Sequence, residues 1–452
     1  MPYKNPDDLQ NFSHLTTRPE PHDRLFRNEL IEKVIESVSE SIVDEDIRRM
    51  FAQCFPNTLD TTVYHSEHEN QPDTFVVTGD IPAMWLRDSV NQVWPYLQYA
   101  TKDDEIKKLF AGLIYRQALC LISDPYANAF KRDIHDGKVE VFERKWELDS
   151  LAAFLRLSVG YFEKTEDLKP FDDHWLRAFE KSIEVILLEQ NTLNKENKDL
   201  LFQFKTHGGH LHPAIRLEGY GYPNKRCGLT RCVFRPSDDE CVFPYLIPAN
   251  AMTVVNLQGV TKILDAIGAT ETSKQASHLA HQIDNGIKEW GIVAHKEFDK
   301  VYAFEVDGFG SSCIMDDPNI PSLLSLPYLG YCKTDDEVYQ NTRKLILSEW
   351  NSFFAKGDRA KGETSPHVGV CDHFWPMATI MQALTTNDQQ EIKQCLSTLK
   401  KTHAGTFYMH ESVDVDNEHH FTRHWFAWVN SLFGELILNI HDNNPEILKQ
   451  EL

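Results

Sequence analysis

Apolar residues recur at helical spacing through most of the chain, and this periodicity constrains the fold more than any other feature. Read together with its breakers, it predicts helices over 27–53, 84–99, 104–122, 146–163, 172–190, 247–267, 272–290, 319–330, 335–347, 373–386, 388–401 and 423–441. Strand signals are few: TFVVTG at 74–79, VEVFER at 139–144 and KVYAFEVDGFG at 300–310 suit hairpins in loops better than a central sheet. Roughly twelve helices with long connections predict an all-α fold, an (α/α)6 barrel of six helical hairpins closed into a toroid, with short β-hairpins in the loops. Residues 1–20 read as a polar N-terminal extension. No low-complexity linker follows, so 21–452 read as one barrel domain. The connections 123–145, 191–246, 291–318, 349–372 and 402–422 are candidates for a shared functional face.

Charge narrows the partners. With 46 basic and 68 acidic residues the formal charge is −22, which repels nucleic acid and anionic lipid. The longest basic clusters are only Lys107-Lys108 and Lys400-Lys401, so a neutral substrate is expected, with no nucleic acid or membrane partner. No window approaches a membrane span, and the N-terminus lacks the apolar core of a secretory signal. The nine cysteines are spread from Cys54 to Cys395 and read as reduced, mostly buried thiols of a cytoplasmic protein. The Asn11-Phe12-Ser13 sequon carries little weight in such a context. The spacing of Cys227, Cys232 and Cys241 is no standard zinc pattern, and HGGHLH at 207–212 reads as a surface loop rather than a metal site.

Connection after connection leads into a helix with an aromatic beside carboxylate, Arg or His. TGDIPAMWLRDS at 78–89 places Asp80, Arg87 and Asp88 around Trp85, and VFERKWELDS at 141–150 places Arg144, Glu147 and Asp149 beside Trp146. VFRPSDDECVFPYLIPAN at 233–250 puts Arg235, Asp238 and Asp239 before a helix starting near Pro248. Adjacent carboxylates push one pKa upward, as a general acid needs, unless Arg235 compensates; a helix cap with an Arg235 salt bridge is the plainer alternative. In AFEVDGFGSSCIMDDPNIP, Glu305 and Asp307 precede Asp316-Asp317, which could cap a helix or hold a cation. ETSPHVGVCDHFWPM carries His367, His373 and Trp375, and Glu411 sits among Met409, His410 and aromatics, as either a structural ion-pair partner or a catalyst. Sugars stack their C–H faces on aromatic rings while their hydroxyls meet charged groups, so the recurrence points to a carbohydrate site.

These segments, with YLIPAN, IMDDPNIPSLL, FWPM, MHES and RHWFAWVNSLFGEL, resemble glycoside hydrolase family 125, the metal-independent exo-α-1,6-mannosidases, from about Pro56 to Leu438. The resemblance implies an (α/α)6 barrel and hydrolysis of a terminal non-reducing α-1,6-linked mannose with inversion, without metal or cofactor. The partners it implies are a mannose-containing oligosaccharide and a water co-substrate. It places the general acid in the Asp238-Asp239 pair, on Asp238 with Asp239 as the alternative, and the general base on Glu411. An inverting pair needs its carboxyl groups ~6.5–9.5 Å apart to admit the water. Trp85, Arg87, Asp88, Glu147, Arg235, Asn250, Glu305, Asp307, His367 and Arg423 fall in family-like segments and are the candidates for the sugar subsite. Region 191–232 departs from the family pattern.

Two competing readings remain at this level. A mannoside-binding protein on the same fold without turnover would bind sugar and release no product. A barrel enzyme ionising a diphosphate with magnesium would use the Asp pairs, but SDDEC lacks the wider spacing of that chemistry and no basic cluster accompanies it.

Overall fold

Asp44 divides the first long apolar pattern. Its carboxylate accepts from the Ile47 amide at 3.1 Å and caps a new helix, so 27–53 becomes Glu29–Glu40 and Glu45–Cys54. Lys400 secures the break, its Nζ lying 2.6 Å from Asp44 Oδ2. The computed structural model describes residues 17–206 and 215–452. The sequon and the HGGHLH stretch lie outside the described residues.

The chain is predominantly helical, with short antiparallel hairpins in its connections. It divides into two compact units, one running to Leu113 and resuming at Phe353–Leu452, the other Ile114–Ser352.

In the first unit the helix Ala427–Asn443 is central. Trp428, Phe433, Leu436, Ile437 and Ile440 are buried on several of its sides, and it packs against Glu45–Cys54, Asn57–Thr61, Leu86–Val93 and Pro376–Leu384. Gly434 lets the Phe55 side chain and backbone approach, since an added Cβ would meet them at 2.8–2.9 Å. The predicted 84–99 helix is Leu86–Val93 followed by a 3-10 turn, Trp94–Tyr99, where Pro95 removes a donor. The 74–79 signal is the strand Gln71–Val76, paired with Val63–His68.

In the second unit the helix Ile247–Ala266 packs on Leu148–Thr165 and Thr270–Gly286. It starts with Pro248 in the first turn, where a missing N–H costs nothing. The 139–144 signal is Lys138–Glu143, paired with Ala129–His135. The 300–310 signal splits: Asp299–Tyr302 pairs with Ile292–His295, while Glu305–Val306 lies between Tyr245–Leu246 and Ser312–Cys313.

The predicted helix 319–330 is a series of turns. Pro321 and Pro327 each lack the N–H that a helix interior needs, and Ser322 and Ser325 bond each other's backbone amides at 3.2 and 2.9 Å. Asp316 and Asp317 therefore cap no helix. Asp316 accepts from the Leu323 and Leu324 amides at 2.8 and 2.9 Å, and Asp317 from the Asn319 amide at 3.1 Å. Burial pushes the Asp316 carboxyl up to about 7.

Candidate active site

The sequence-predicted residues fall into two clusters, one in each unit. In the first, Gly79 and Phe426 form an isolated bridge that brings the 78–88 segment against the entry to Ala427–Asn443. Arg423, in the left-handed region at φ 49°, turns its guanidinium onto Asp80, with Nε 3.0 and 3.1 Å from the two carboxylate oxygens and Nη2 bonded to Oδ1. Its Nη1 lies 3.5 Å from Glu411 Oε1, and its guanidinium carbon lies 4.2 Å from the Phe426 ring centre. Burial opposes the charge on Arg423, but Asp80, Glu411 and Asp88 outweigh it and hold its pKa above the ordinary value.

Arg87 and Asp88 are buried in the first turn of their helix, Nη2 to Oδ2 3.3 Å, and Arg87 stands over the Trp428 ring at 5.8 Å. Trp85 is the buried N-cap residue of that helix. Glu411 is also buried, in a loop set by its neighbour His410, which stacks on Phe421 at 3.7 Å between ring centres and meets the Arg423 carbonyl at 3.0 Å. His367 is exposed in the 3-10 turn Pro366–Val368, whose start is capped by Ser365.

In the second unit the Arg235–Cys241 loop folds back on itself. Arg235 N donates to the Asp239 carbonyl at 2.8 Å, Asp238 N to the Arg235 carbonyl at 2.9 Å, and Asp238 takes φ 69°, a conformation L-residues adopt at a cost. The Arg235 side chain reaches Glu305 instead of serving as a helix cap's salt bridge: Nε lies 2.6 Å from Oε1, while Glu305 Oε2 accepts from the Val242 and Phe243 amides at 2.9 Å each. Burial raises the Glu305 pKa despite Arg235 and these donors. This buried pair joins both ends of the loop.

Asn250 is fully occupied inside the protein, accepting from Thr230 N and donating to the Thr230 and Leu246 carbonyls. Asp307 accepts from the Phe309, Gly310 and Ser311 amides at 2.7–3.1 Å. It needs Gly308 beside it: at φ 76°, any Cβ there would lie 2.3 Å from the Lys225 carbonyl oxygen.

Asp238 and Glu147 meet at a residue that sequence reasoning missed. Asn128 Nδ2 lies within hydrogen-bond distance of three carboxylate oxygens, Glu143 Oε1 at 2.9 Å, Asp238 Oδ1 at 3.1 Å and Glu147 Oε1 at 3.2 Å, which share its two N–H groups. Lys145 Nζ adds contacts of 3.3 Å to Glu143 and 3.6 Å to Asp238 Oδ1. The only trace in sequence is the apolar alternation of the 138–143 strand, which shows a hairpin but not its partner.

Among the described residues no group of three or more His, Cys, Asp or Glu side chains is gathered as for a metal ion, Asp316-Asp317 included. The nine cysteines are free, and five are buried. Among the described residues no helix is long and apolar enough to cross a membrane.

The sequence and the fold have close parallels. The sequence model of the metal-independent α-mannosidases, GH125, matches residues 44–438. The meiotically up-regulated gene 157 protein of Schizosaccharomyces pombe is 45% identical over 458 residues, covering 96% of this chain and 90% of that one. A Streptococcus pneumoniae metal-independent α-mannosidase, solved as a non-productive complex with α-1,6-mannobiose, is 37% identical with a TM-score of 0.86, covering 93% of this chain and all of that one. A bacterial glucoamylase bound to acarbose, 11% identical with a TM-score of 0.55 over 91% of this chain and 59% of that one, shares the fold alone. The chain belongs to glycoside hydrolase family 125 and is a metal-independent α-mannosidase.

Proposed function

We propose that this glycosidase releases terminal non-reducing α-1,6-linked mannose by single displacement with inversion, on an (α/α)6 barrel formed by 21–452. The observation that carries the linkage is the α-1,6-mannobiose bound by the pneumococcal relative, 37% identical over 93% of this chain. Asp238 is the general acid, with Asp239 as its alternative, and Glu411 is the general base.

The acid protonates the glycosidic oxygen as its bond to the anomeric carbon breaks, and the base takes a proton from the attacking water. Buried Arg87-Asp88 and the Asp80-bound Arg423 present charged donors and acceptors to sugar hydroxyls, with Trp85 beside them. Glu147 lies next to the acid through Asn128, and His367, exposed at its loop, meets a hydroxyl from the side of solvent. Arg235 and Glu305, Asn250 and Asp307 act on the subsite through the loops they hold.

Incubation with linkage-defined mannobioses, following the first anomer released by NMR, tests the reading. Release of β-mannose from the α-1,6 isomer alone is expected; α-mannose first, or equal turnover of other linkages, would overturn it. Asp238→Asn and Glu411→Gln are each expected to lower hydrolysis of the mannobiose by ~10²–10⁴-fold with the fold intact.

A further inference from the structure

Asn128 is fully buried, and its orientation is decided by its neighbours. Its own amide donates to the Glu143 carbonyl at 3.3 Å, next to the hairpin pair Ala129 and Glu143. Its side-chain Oδ1 accepts from the Lys145 backbone amide at 3.0 Å. A backbone N–H can only donate, so Oδ1 must face it and Nδ2 must point the other way, at the carboxylates of Glu143, Glu147 and Asp238. Lys145 Nζ approaches the same Asp238 oxygen, Oδ1, at 3.6 Å. That oxygen therefore faces an amide donor and an ammonium, both of which require it to accept.

We propose that Asn128 and Lys145 are positioning residues for acid catalysis: by holding Asp238 Oδ1 as an acceptor, they leave Oδ2 to carry the proton delivered to the glycosidic oxygen. The inference rests on the assignment of Asp238 as the acid. When the leaving bond breaks, the proton passes from Oδ2 to the departing oxygen, the bonding pair stays on that oxygen, and Asp238 is left anionic beside the Lys145 ammonium. The attacking water supplies the new bond at the anomeric carbon and gives its proton to Glu411.

The surrounding charges are consistent with one donor system shared by several acids. Burial, then the Asp238 charge, holds the Glu143 carboxyl above its usual range. Burial opposes the Lys145 charge, but Asp238, Glu143 and Glu147 together outweigh it and hold its pKa above the ordinary value.

Leaving-group dependence separates this role from a structural one. Hydrolysis of α-1,6-mannobiose expels a sugar alkoxide that needs a proton, whereas a dinitrophenyl α-mannoside expels a stable phenolate that needs none. In Asn128→Ala and Lys145→Met, kcat for the mannobiose is expected to fall about 10²-fold while kcat for the aryl mannoside changes less than about threefold. KM should stay near its original value, and Lys145→Arg should recover part of the loss. Equal loss on both substrates, or no loss on either, would overturn the proposal. Should Asn128→Ala fail to fold, Lys145→Met on the half-buried side decides the matter alone. Asp238→Asn serves as the reference: if Asp239→Asn shows the leaving-group-dependent defect in its place, the acid assignment itself fails. If Asp238→Asn shows it and both positioning variants do not, only this inference fails.

Discussion

Asp80 and Arg423, 343 residues apart in sequence, are locked together by Arg423 Nε and Nη2 on the Asp80 carboxylate, and the remaining nitrogen, Nη1, stands 3.5 Å from Glu411. Asp80 thus sets how far the guanidinium can turn toward Glu411, the proposed base. In Asp80→Asn the bidentate acceptor is lost, Arg423 swings onto Glu411, and the lone pairs that receive the water's proton in the proposed mechanism are occupied. A fall in kcat of about 10–100-fold is expected from misplacement of this kind, with little change in the circular dichroism spectrum. Wild-type kcat in that variant would remove Asp80 from the positioning of the base.

The buried Arg235–Glu305 pair makes a stability prediction. Glu305→Gln leaves the guanidinium without its counter-ion in a dry environment and is expected to cost about 3–5 kcal/mol, read from urea unfolding. The double variant Arg235→Met, Glu305→Gln should lose less than the sum of the singles, because no charge is stranded. Since Val242 and Phe243 hang from the same carboxylate, activity should fall with stability in the single variant.

How far the sequence could be read depended on the range of the interaction. Asp172, Asp336 and Asp388 each cap the helix that follows them, a contact of two or three residues, and those helices start within two residues of where periodicity puts them. Asp44 is just as local a cap but stayed hidden, because Ile42, Val43 and Ile47 continue the apolar pattern across the break. In 319–330 the apolar spacing competed with Pro321 and Pro327, and the prolines won. The site divided in the same way. Asp238 and Glu411 lie in motifs long enough to carry a family likeness. Asn128 acquires meaning only from partners 15, 19 and 110 residues away, and the partner of Arg235 proved to be Glu305, 70 residues on, rather than the neighbouring aspartates. Such pairings follow from how distant loops are brought together, which no single stretch of sequence displays.

His410 should make the Glu411 loop acid-sensitive. Burial lowers its pKa from 6.5 to about 4, opposed by the Arg423 carbonyl and assisted by His424 and His403. The neutral ring donates from Nδ1 to that carbonyl, and its Nε2 faces Thr406 Oγ1, each at 3.0 Å. The unfolded chain takes up this proton first, so the stabilisation is complete above pH 6.5 and is lost as pH falls toward 4. A shift of that size corresponds to about 3 kcal/mol. His410→Gln is expected to be less stable than the parent at pH 8, having lost the stacking on Phe421, yet to show a flatter decline of unfolding midpoint between pH 6.5 and 4. Parallel declines in the two proteins would assign the acid sensitivity elsewhere.

Gly79 tests whether the backbone around Asp80 tolerates any side chain. It sits at φ 130°, and a Cβ added there would lie 2.3 Å from the Trp425 carbonyl oxygen, the same oxygen that accepts from the Asp80 amide at 3.2 Å. Positive φ alone costs an L-residue about 1–3 kcal/mol, and the collision cannot be relieved by a rotamer change because both partners are backbone. Gly79→Ala must therefore part the bridge between Gly79 and Phe426, carrying Asp80 away from Arg423 and freeing the guanidinium toward Glu411. The expected result is a lower urea midpoint together with a kcat loss at least as large as that of Asp80→Asn. A stable Gly79→Ala enzyme with full activity would show that the Asp80–Arg423 lock is not needed for turnover.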